Sequence, residues 1–210
     1  AIEGRFQRYC AAVPNGSRSP IAAAATAAHD VLVSLFPAQT ATLDLAYDTY
    51  LANLGLTGNA GVLAGQQAAA CILDLREGDG RYPANPEAFY GGTGLGEWRP
   101  TSFLDGVPVP MVTPWVATVT PFTLKDPAQF RASPPPPHLT SGKYAKDYIE
   151  VKALGSLVNS PRYPEQTDVA YFFSDNSIML WTRDLRTVTG TYLSNSGDSA
   201  RLFALTYMAV

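Results

Sequence analysis

Proline and glycine interrupt residues 81–138 every few positions, and this segment restricts the possible folds of the chain more than any other. Few regular elements persist through such spacing. The segment is nevertheless rich in aromatic residues, such as Trp98 and Phe130, whereas a disordered linker would be poor in them. We therefore predict a long ordered loop that wraps across helices, with its aromatic side chains as anchors.

Helical periodicity precedes and follows this loop. Apolar residues recur at helical spacing in seven stretches, namely residues 20–36, 40–54, 59–77, 140–154, 165–173, 178–188 and 196–210. Gly61, Gly65 and several alanine-rich faces permit close approach between helices. The sequence shows no internal repeat and no strand pattern of useful length. It predicts an all-α helical bundle of about seven helices, with the loop between the third and the fourth, as a single domain over residues 1–210.

The last predicted helix reaches the end of the sequence without a stop signal. Residues 199–210 are apolar at helical spacing, and no Gly or Asn stands at a capping position after them. Charged residues make up 16% of the chain, against roughly 25% in typical soluble domains. A surface with so few charges indicates coverage by an oligomer partner or by further chain. We expect a segment of a larger protein, with its chemistry on other residues.

Composition argues against several classes of protein. The net charge is -3 and no cluster of Lys and Arg occurs, whereas nucleic-acid binding needs clustered cations. No apolar run reaches the roughly 18 residues of a membrane span; residues 60–75 come closest but are interrupted by Gln66 and Gln67, so no transmembrane segment is predicted. Asn15-Gly16-Ser17 matches the glycosylation triplet, a pattern that is common by chance.

The two cysteines, Cys10 and Cys71, allow two interpretations. The simpler one is a pair of small buried residues. The alternative is a disulfide between the N-terminal loop and a helix, which would require an oxidising compartment. Two isolated thiols are too few for a four-ligand metal site.

Few side chains are suited to catalysis or anion binding. His29 lies in an alanine-rich helix and is interpreted as a buried, hydrogen-bonded residue, whereas His138 follows four prolines and is interpreted as a loop residue. A hydrolase that uses either histidine is the weakest alternative. Arg99, beside Trp98, is the best local candidate for contact with an anion, because a guanidinium offers a fixed fork to oxyanions. Its structural alternative is pairing with Glu97 or with loop carbonyl groups.

Recognisable catalytic motifs are missing from the sequence. Gly-x-Ser-x-Gly, HExxH, P-loop and GxGxxG patterns do not occur. Four carboxylates on predicted helices could approach a metal ion, but solvated helix faces explain them better: Asp44, Asp48, Asp74 and Glu77. We assign no catalytic, cofactor-binding or metal-binding residue.

Several stretches in order resemble one family. They are Ala-Ala-His-Asp-Val-Leu-Val-Ser-Leu-Phe-Pro at 27–37, Gly-Glu-Trp-Arg-Pro-Thr at 96–101, Trp115 with Thr-Pro-Phe at 120–122, Phe-Arg at 130–131 with the proline run, Glu-Val-Lys-Ala-Leu-Gly-Ser at 150–156, Pro-Glu-Gln-Thr at 164–167, and Ala-Arg-Leu-Phe-Ala-Leu at 200–205. Together they resemble the N-terminal half of vanadium-dependent haloperoxidase-related proteins, in the type-2 phosphatidic acid phosphatase superfamily.

This resemblance implies an all-α bundle that holds vanadate or phosphate at one end. The family forms that site from a Lys followed after six residues by Arg-Pro, from Ser-Gly-His, and from an Arg with a later His. The chain departs from these motifs: Gly92 stands seven positions before Arg99, and Ser141-Gly142 is followed by Lys143. The resemblance therefore implies an active site beyond residue 210, with vanadate as cofactor of the full protein and no cofactor in this segment.

The implied function is that of a scaffold segment for peroxide-dependent halide oxidation. A phosphatase of the same superfamily is one alternative, and a non-catalytic helical protein for binding or assembly is another. The expected partner is the C-terminal half of the same protein or a second polypeptide, and a homo-oligomer is possible. Export from the cell is plausible for this family.

Overall fold

The chain folds mainly as α-helix in the computed structural model, which describes residues 5–10, 19–83 and 87–209. The seven α-helices within those residues are α1 Pro20–Leu35, α2 Thr40–Asn53, α3 Gly61–Leu75, α4 Gly142–Leu154, α5 Pro164–Phe172, α6 Ser177–Tyr192 and α7 Ser196–Ala209. Each matches one predicted helix within a few residues at its ends. The prediction of a mainly helical fold is therefore confirmed. The glycosylation triplet at residues 15–17 lies outside the described residues.

Two serines begin helices where the sequence predicts a start. Ser19 accepts a hydrogen bond from the backbone N–H of Ala22 at 3.2 Å. Ser141 caps α4 by accepting a hydrogen bond from the N–H of Tyr144 at 3.1 Å. A side-chain cap of this kind stabilises a helix by about 1 kcal/mol.

A short β-hairpin between α3 and α4 corrects the expectation of no strands. Its strands, β1 Phe103–Leu104 and β2 Val107–Pro108, pair in antiparallel orientation. Asp105 and Gly106 join them with φ angles of 51° and 80°. Positive φ at both positions defines a two-residue hairpin turn for which Asp-Gly is a preferred sequence. The dipeptide was a turn signal that the surrounding prolines obscured.

The chain divides into two compact units. Unit 1 is Ala1–Asp79 with Leu185–Val210, and unit 2 is Gly80–Asp184. Helices α1, α2, α3 and α7 belong to unit 1, the hairpin, α4 and α5 belong to unit 2, and α6 contributes to both. That residues 1–210 form a single domain stays a prediction.

Helices α1 and α3 pack closely in unit 1 because their contacting side chains are small. Ala22, Ala64 and Ala69 are almost fully buried. A Cβ atom in place of the Gly65 hydrogen would approach the carbonyl oxygen of Ala23 at 2.5 Å. The predicted close approach through glycine and alanine is therefore confirmed.

Aromatic residues of unit 2 pair with one another. The ring centroids of Tyr82 and Trp115 lie 5.0 Å apart, and those of Phe89 and Trp98 lie 5.7 Å apart. Phe130, expected to be an anchor, is 77% exposed. The expectation of aromatic anchors is thus wrong for Phe130, and the path of the loop across helices stays a prediction.

Among the described residues, no single helix is both long and apolar enough to cross a membrane. The adjoining segments Pro20–Leu35 and Pro37–Asn53 reach the required length and hydropathy only as a pair, which is bent by 117°.

Candidate functional site

A groove of about 830 Å³ lies in unit 1 between α1, α3, α7 and residues 5–9. Each helix lines it with a pair of alanines one turn apart: Ala23 and Ala27, Ala64 and Ala68, Ala200 and Ala204. Residues four positions apart share a helix face, so each pair faces the same side of its helix. Ala23 and Ala64 are only 8% and 3% exposed, so the open apolar floor is formed mainly by Ala27, Ala68, Ala200 and Ala204. The volume lies within the roughly 300–1,000 Å³ of typical binding sites. Sequence reasoning missed this groove because the three helices are far apart in the chain.

Three arginines line the groove, namely Arg5, Arg8 and Arg201, and no other charged side chain of the described residues does so. Arg5 donates to Asp198 Oδ1 at 3.2 Å and to Asn195 Oδ1 at 3.1 Å. These contacts join the N-terminal segment to the first turn of α7. Two guanidinium groups of the same set also lie over the ring of Phe6, with Arg5 at 4.8 Å and Arg201 at 5.0 Å from its centroid.

A disulfide between Cys10 and Cys71 ties the same N-terminal segment to α3. The simpler interpretation, two small buried thiols, is therefore wrong, and the alternative is confirmed. The Cα atoms are 6.0 Å apart, a usual spacing for a disulfide. The bond closes over a sequence separation of 61 residues, so whether the two cysteines meet depends on tertiary packing.

His29 links α1 to α2 through a carboxylate at each ring nitrogen. Nδ1 lies 2.8 Å from Asp30 Oδ1, and Nε2 lies 2.9 Å from Asp44 Oδ1. The ring of Tyr47 stacks on the imidazole at 4.3 Å between centroids, and its hydroxyl lies 2.7 Å from Thr26 Oγ1. The prediction of a hydrogen-bonded histidine is confirmed, whereas the predicted burial is only partial, with 17% of the side chain exposed. Asp44, interpreted as merely solvated, is one of its partners.

The two carboxylates decide the protonation of this histidine. Burial lowers the pKa of His29, but the hydrogen bonds and negative charges of Asp30 and Asp44 outweigh burial, so the pKa is raised above its ordinary value of 6.5. An imidazolium between two carboxylates leaves a local excess of negative charge. The arrangement is suited to joining two helices and unsuited to receiving an anion.

Arg99 makes the loop contacts expected of a structural arginine. Its Nη2 donates to the carbonyl oxygens of Thr93 at 3.3 Å and Gly94 at 2.9 Å. Glu97 accepts a separate hydrogen bond from the N–H of Gly94 at 2.6 Å. These contacts support the structural alternative for Arg99, through loop carbonyl groups rather than through Glu97.

The remaining candidates do not converge. His138 lies in the loop before α4, with its Nδ1 2.8 Å from Thr140 Oγ1. Asp48 on α2 and Asp74 on α3 are exposed, and so is Glu77, which lies in the turn after α3 rather than on a helix; all three agree with the solvated interpretation. Within the described ranges, no three His, Cys, Asp or Glu side chains come together in a way that could hold a metal ion.

Vanadate or phosphate would require several cationic donors around one oxyanion, together with a histidine. The candidates among the described residues do not fit this requirement: carboxylates flank His29, and the guanidinium of Arg99 contacts carbonyl groups. Helices α1 and α2, and the loop that carries Arg99, therefore form no oxyanion cradle from these residues.

Comparisons of the chain with protein-family models, with curated proteins and with solved structures found no match. The resemblance to haloperoxidase-related proteins thus stays a prediction from the sequence stretches given above.

Proposed function

We propose that this chain is a helical scaffold segment of the vanadium-dependent haloperoxidase-related type, which acts in an assembly with another polypeptide. One observation carries the proposal: neither α4 nor α5 has a buried residue. A helix of a folded protein normally buries one face against a partner.

Large apolar side chains are among the exposed ones on α4 and α5. On α4, Ile149 is 64% and Val151 is 70% exposed, and on α5 Tyr171 is 67% and Phe172 is 53% exposed. Helices of 13 and 9 residues are marginal in water without tertiary contacts, since isolated helices below about 12–15 residues rarely persist. A polypeptide surface that covers these side chains would stabilise both helices.

The contacts of His29 and Arg99 support a scaffold role for these two residues. Since neither fits an oxyanion, we assign the chemistry of the assembly, halide oxidation or phosphate-ester hydrolysis, to other residues. The same kind of oxyanion cradle serves both reactions. The Cys10–Cys71 disulfide favours an oxidising, exported location for the assembly.

Hydrogen exchange read by mass spectrometry tests the scaffold proposal, with oligomeric state measured in parallel by light scattering. In the monomeric chain, α4 and α5 should exchange much faster than α1 and α3, which serve as the internal control. Oligomers of the chain, where they form, should slow exchange in α4 and α5. A monomer with α4 and α5 as protected as α1 and α3 would contradict the proposal.

Activity assays test the assignment of chemistry. The chain with vanadate, peroxide and bromide should oxidise no halide, and with a phosphate ester it should release no phosphate. Turnover of either substrate by the purified chain, abolished by His29→Gln or His138→Gln, would replace the scaffold proposal with an independent enzyme.

A further inference from the structure

The open floor of the groove in unit 1 carries the small side chains that close helix packing requires. Its accessible alanines come from three helices, with Ala27 on α1, Ala68 on α3, and Ala200 and Ala204 on α7, and methyl groups let a helix backbone approach closely. The chain already uses this kind of contact where Gly65 of α3 meets α1. On α7 the lining runs from Ser196 to Met208, a length of about 18 Å or three helical turns.

The charged side chains that line the groove favour a negatively charged ligand. Every charged side chain lining the groove in the described part of the chain is an arginine, although the whole sequence carries a net charge of -3. Asp198 offsets Arg5 through the 3.2 Å ion pair. Arg8 and Arg201 are exposed and extend the positive potential at the edge of the apolar floor.

We propose that the groove binds an amphipathic helix of another polypeptide, with carboxylates beside a face of small apolar side chains. The inference rests on the proposed scaffold function and names the chemistry of its partner. A helix suits the site better than an extended strand, because a helix satisfies its own backbone hydrogen bonds against an apolar floor. The arginines would orient it by pairing with its carboxylates.

Fluorescence anisotropy with synthetic peptides and the full chain tests the proposal. The probe is a labelled helical peptide about three turns long, with alanine and leucine on one face and glutamates beside that face. The matched peptide carries lysines in place of the glutamates. The glutamate peptide should bind about tenfold more tightly, and the preference should shrink at about 1 M salt, where the Debye length is near 3 Å.

Charge reversal in the groove supplies the decisive variant. The double variant Arg201→Glu with Arg8→Glu should bind the glutamate peptide more weakly and the lysine peptide more tightly than the parent chain does. Misfolding cannot produce the gain in affinity for the lysine peptide. Arg131→Glu, the same change in unit 2, should leave both affinities unaltered. Ala204→Trp places a large side chain in the groove and should weaken the binding of both peptides.

Three results would overturn the inference: binding of neither peptide, equal binding of both, or the same response to Arg131→Glu as to the groove variants. None of these results would contradict the scaffold proposal, which is tested by hydrogen exchange in α4 and α5. Conversely, slow exchange in α4 and α5 of the monomer would contradict the scaffold proposal, independently of the peptide-binding results.

Discussion

The α1–α3 pair of unit 1 and the helices α4 and α5 of unit 2 differ in how they use apolar residues. Unit 1 buries small side chains, such as Ala22 and Ala64, between closely packed α1 and α3. Unit 2 carries larger ones, yet Ile149 and Tyr171 remain mostly exposed. Apolar area stabilises a fold only where a complementary surface removes it from water. The comparison teaches that shape, rather than hydrophobicity, decides which helices of this chain have a core.

Removal of the disulfide should show the largest difference between the units. The bond spans 61 residues, and by the chain-entropy relation its loss should lower the free energy of unfolding of unit 1 by about 4 kcal/mol. The double variant Cys10→Ser with Cys71→Ser, followed by urea unfolding, measures this loss. Hydrogen exchange in α4 should stay as in the parent chain. An equal loss of protection in both units would break the comparison.

Truncation of one aliphatic side chain in each kind of environment, Leu51 and Val151, should give the next largest difference. Leu51 on α2 is 4% exposed, so Leu51→Ala should destabilise unit 1 by about 3 kcal/mol through lost burial and the cavity left behind. Val151 on α4 is 70% exposed, and Val151→Ala should change stability by less than about 0.5 kcal/mol in the monomer. Urea midpoints of the two variants compare them directly. Similar losses would mean that unit 2 has a packed core of its own.

Substitution of Gly65 tests close packing as the cause of the unit 1 core. The added methyl of Gly65→Ala would meet the Ala23 carbonyl oxygen, and we expect a loss of about 2 kcal/mol. Gly190 on α6 has open space around its Cβ position, so Gly190→Ala should instead stabilise by up to about 1 kcal/mol through helix propensity. Thermal unfolding of the two variants measures whether each substitution lowers or raises stability. If Gly65→Ala left the stability unchanged, contact with the α1 backbone could not be the reason that a glycine is needed at this position.

The smallest expected effect is the pH dependence of the α1–α2 link. Because the folded pKa of His29 is raised above 6.5, its stabilisation is fully present below the unfolded pKa and is lost as pH rises through the folded value. The free energy of unfolding should therefore fall by about 1 kcal/mol over that range. His29→Gln and Asp44→Asn should both flatten the dependence in urea unfolding at several pH values. A profile that rises with pH in the parent chain would contradict the assignment.

Local signals account for what could be predicted about the helices. Periodic apolar residues, a serine cap such as Ser141, and Pro37 after α1 act within one or two turns, so each helix could be found without knowledge of its neighbours. The hairpin at Asp105 and Gly106 carried an equally local signal, but its strands of two residues each are too short to show an alternating pattern.

The candidate site depended on contacts between distant residues. Asp44 is an ordinary exposed carboxylate in sequence, and only the packing of α2 on α1 brings it to His29. The alanine pairs of α1, α3 and α7 likewise read as separate small-residue faces, and the sequence left open whether Cys10 pairs with Cys71.

By itself, therefore, the sequence determined the helices of this protein and the glycine and alanine faces that let them pack, because those properties depend on neighbours within a few residues. The tertiary structure alone decided the disulfide, the charged link at His29 and the arginine-lined groove. Each of these requires side chains from separate helices within a few ångströms, and that distance is set by packing rather than by spacing along the chain.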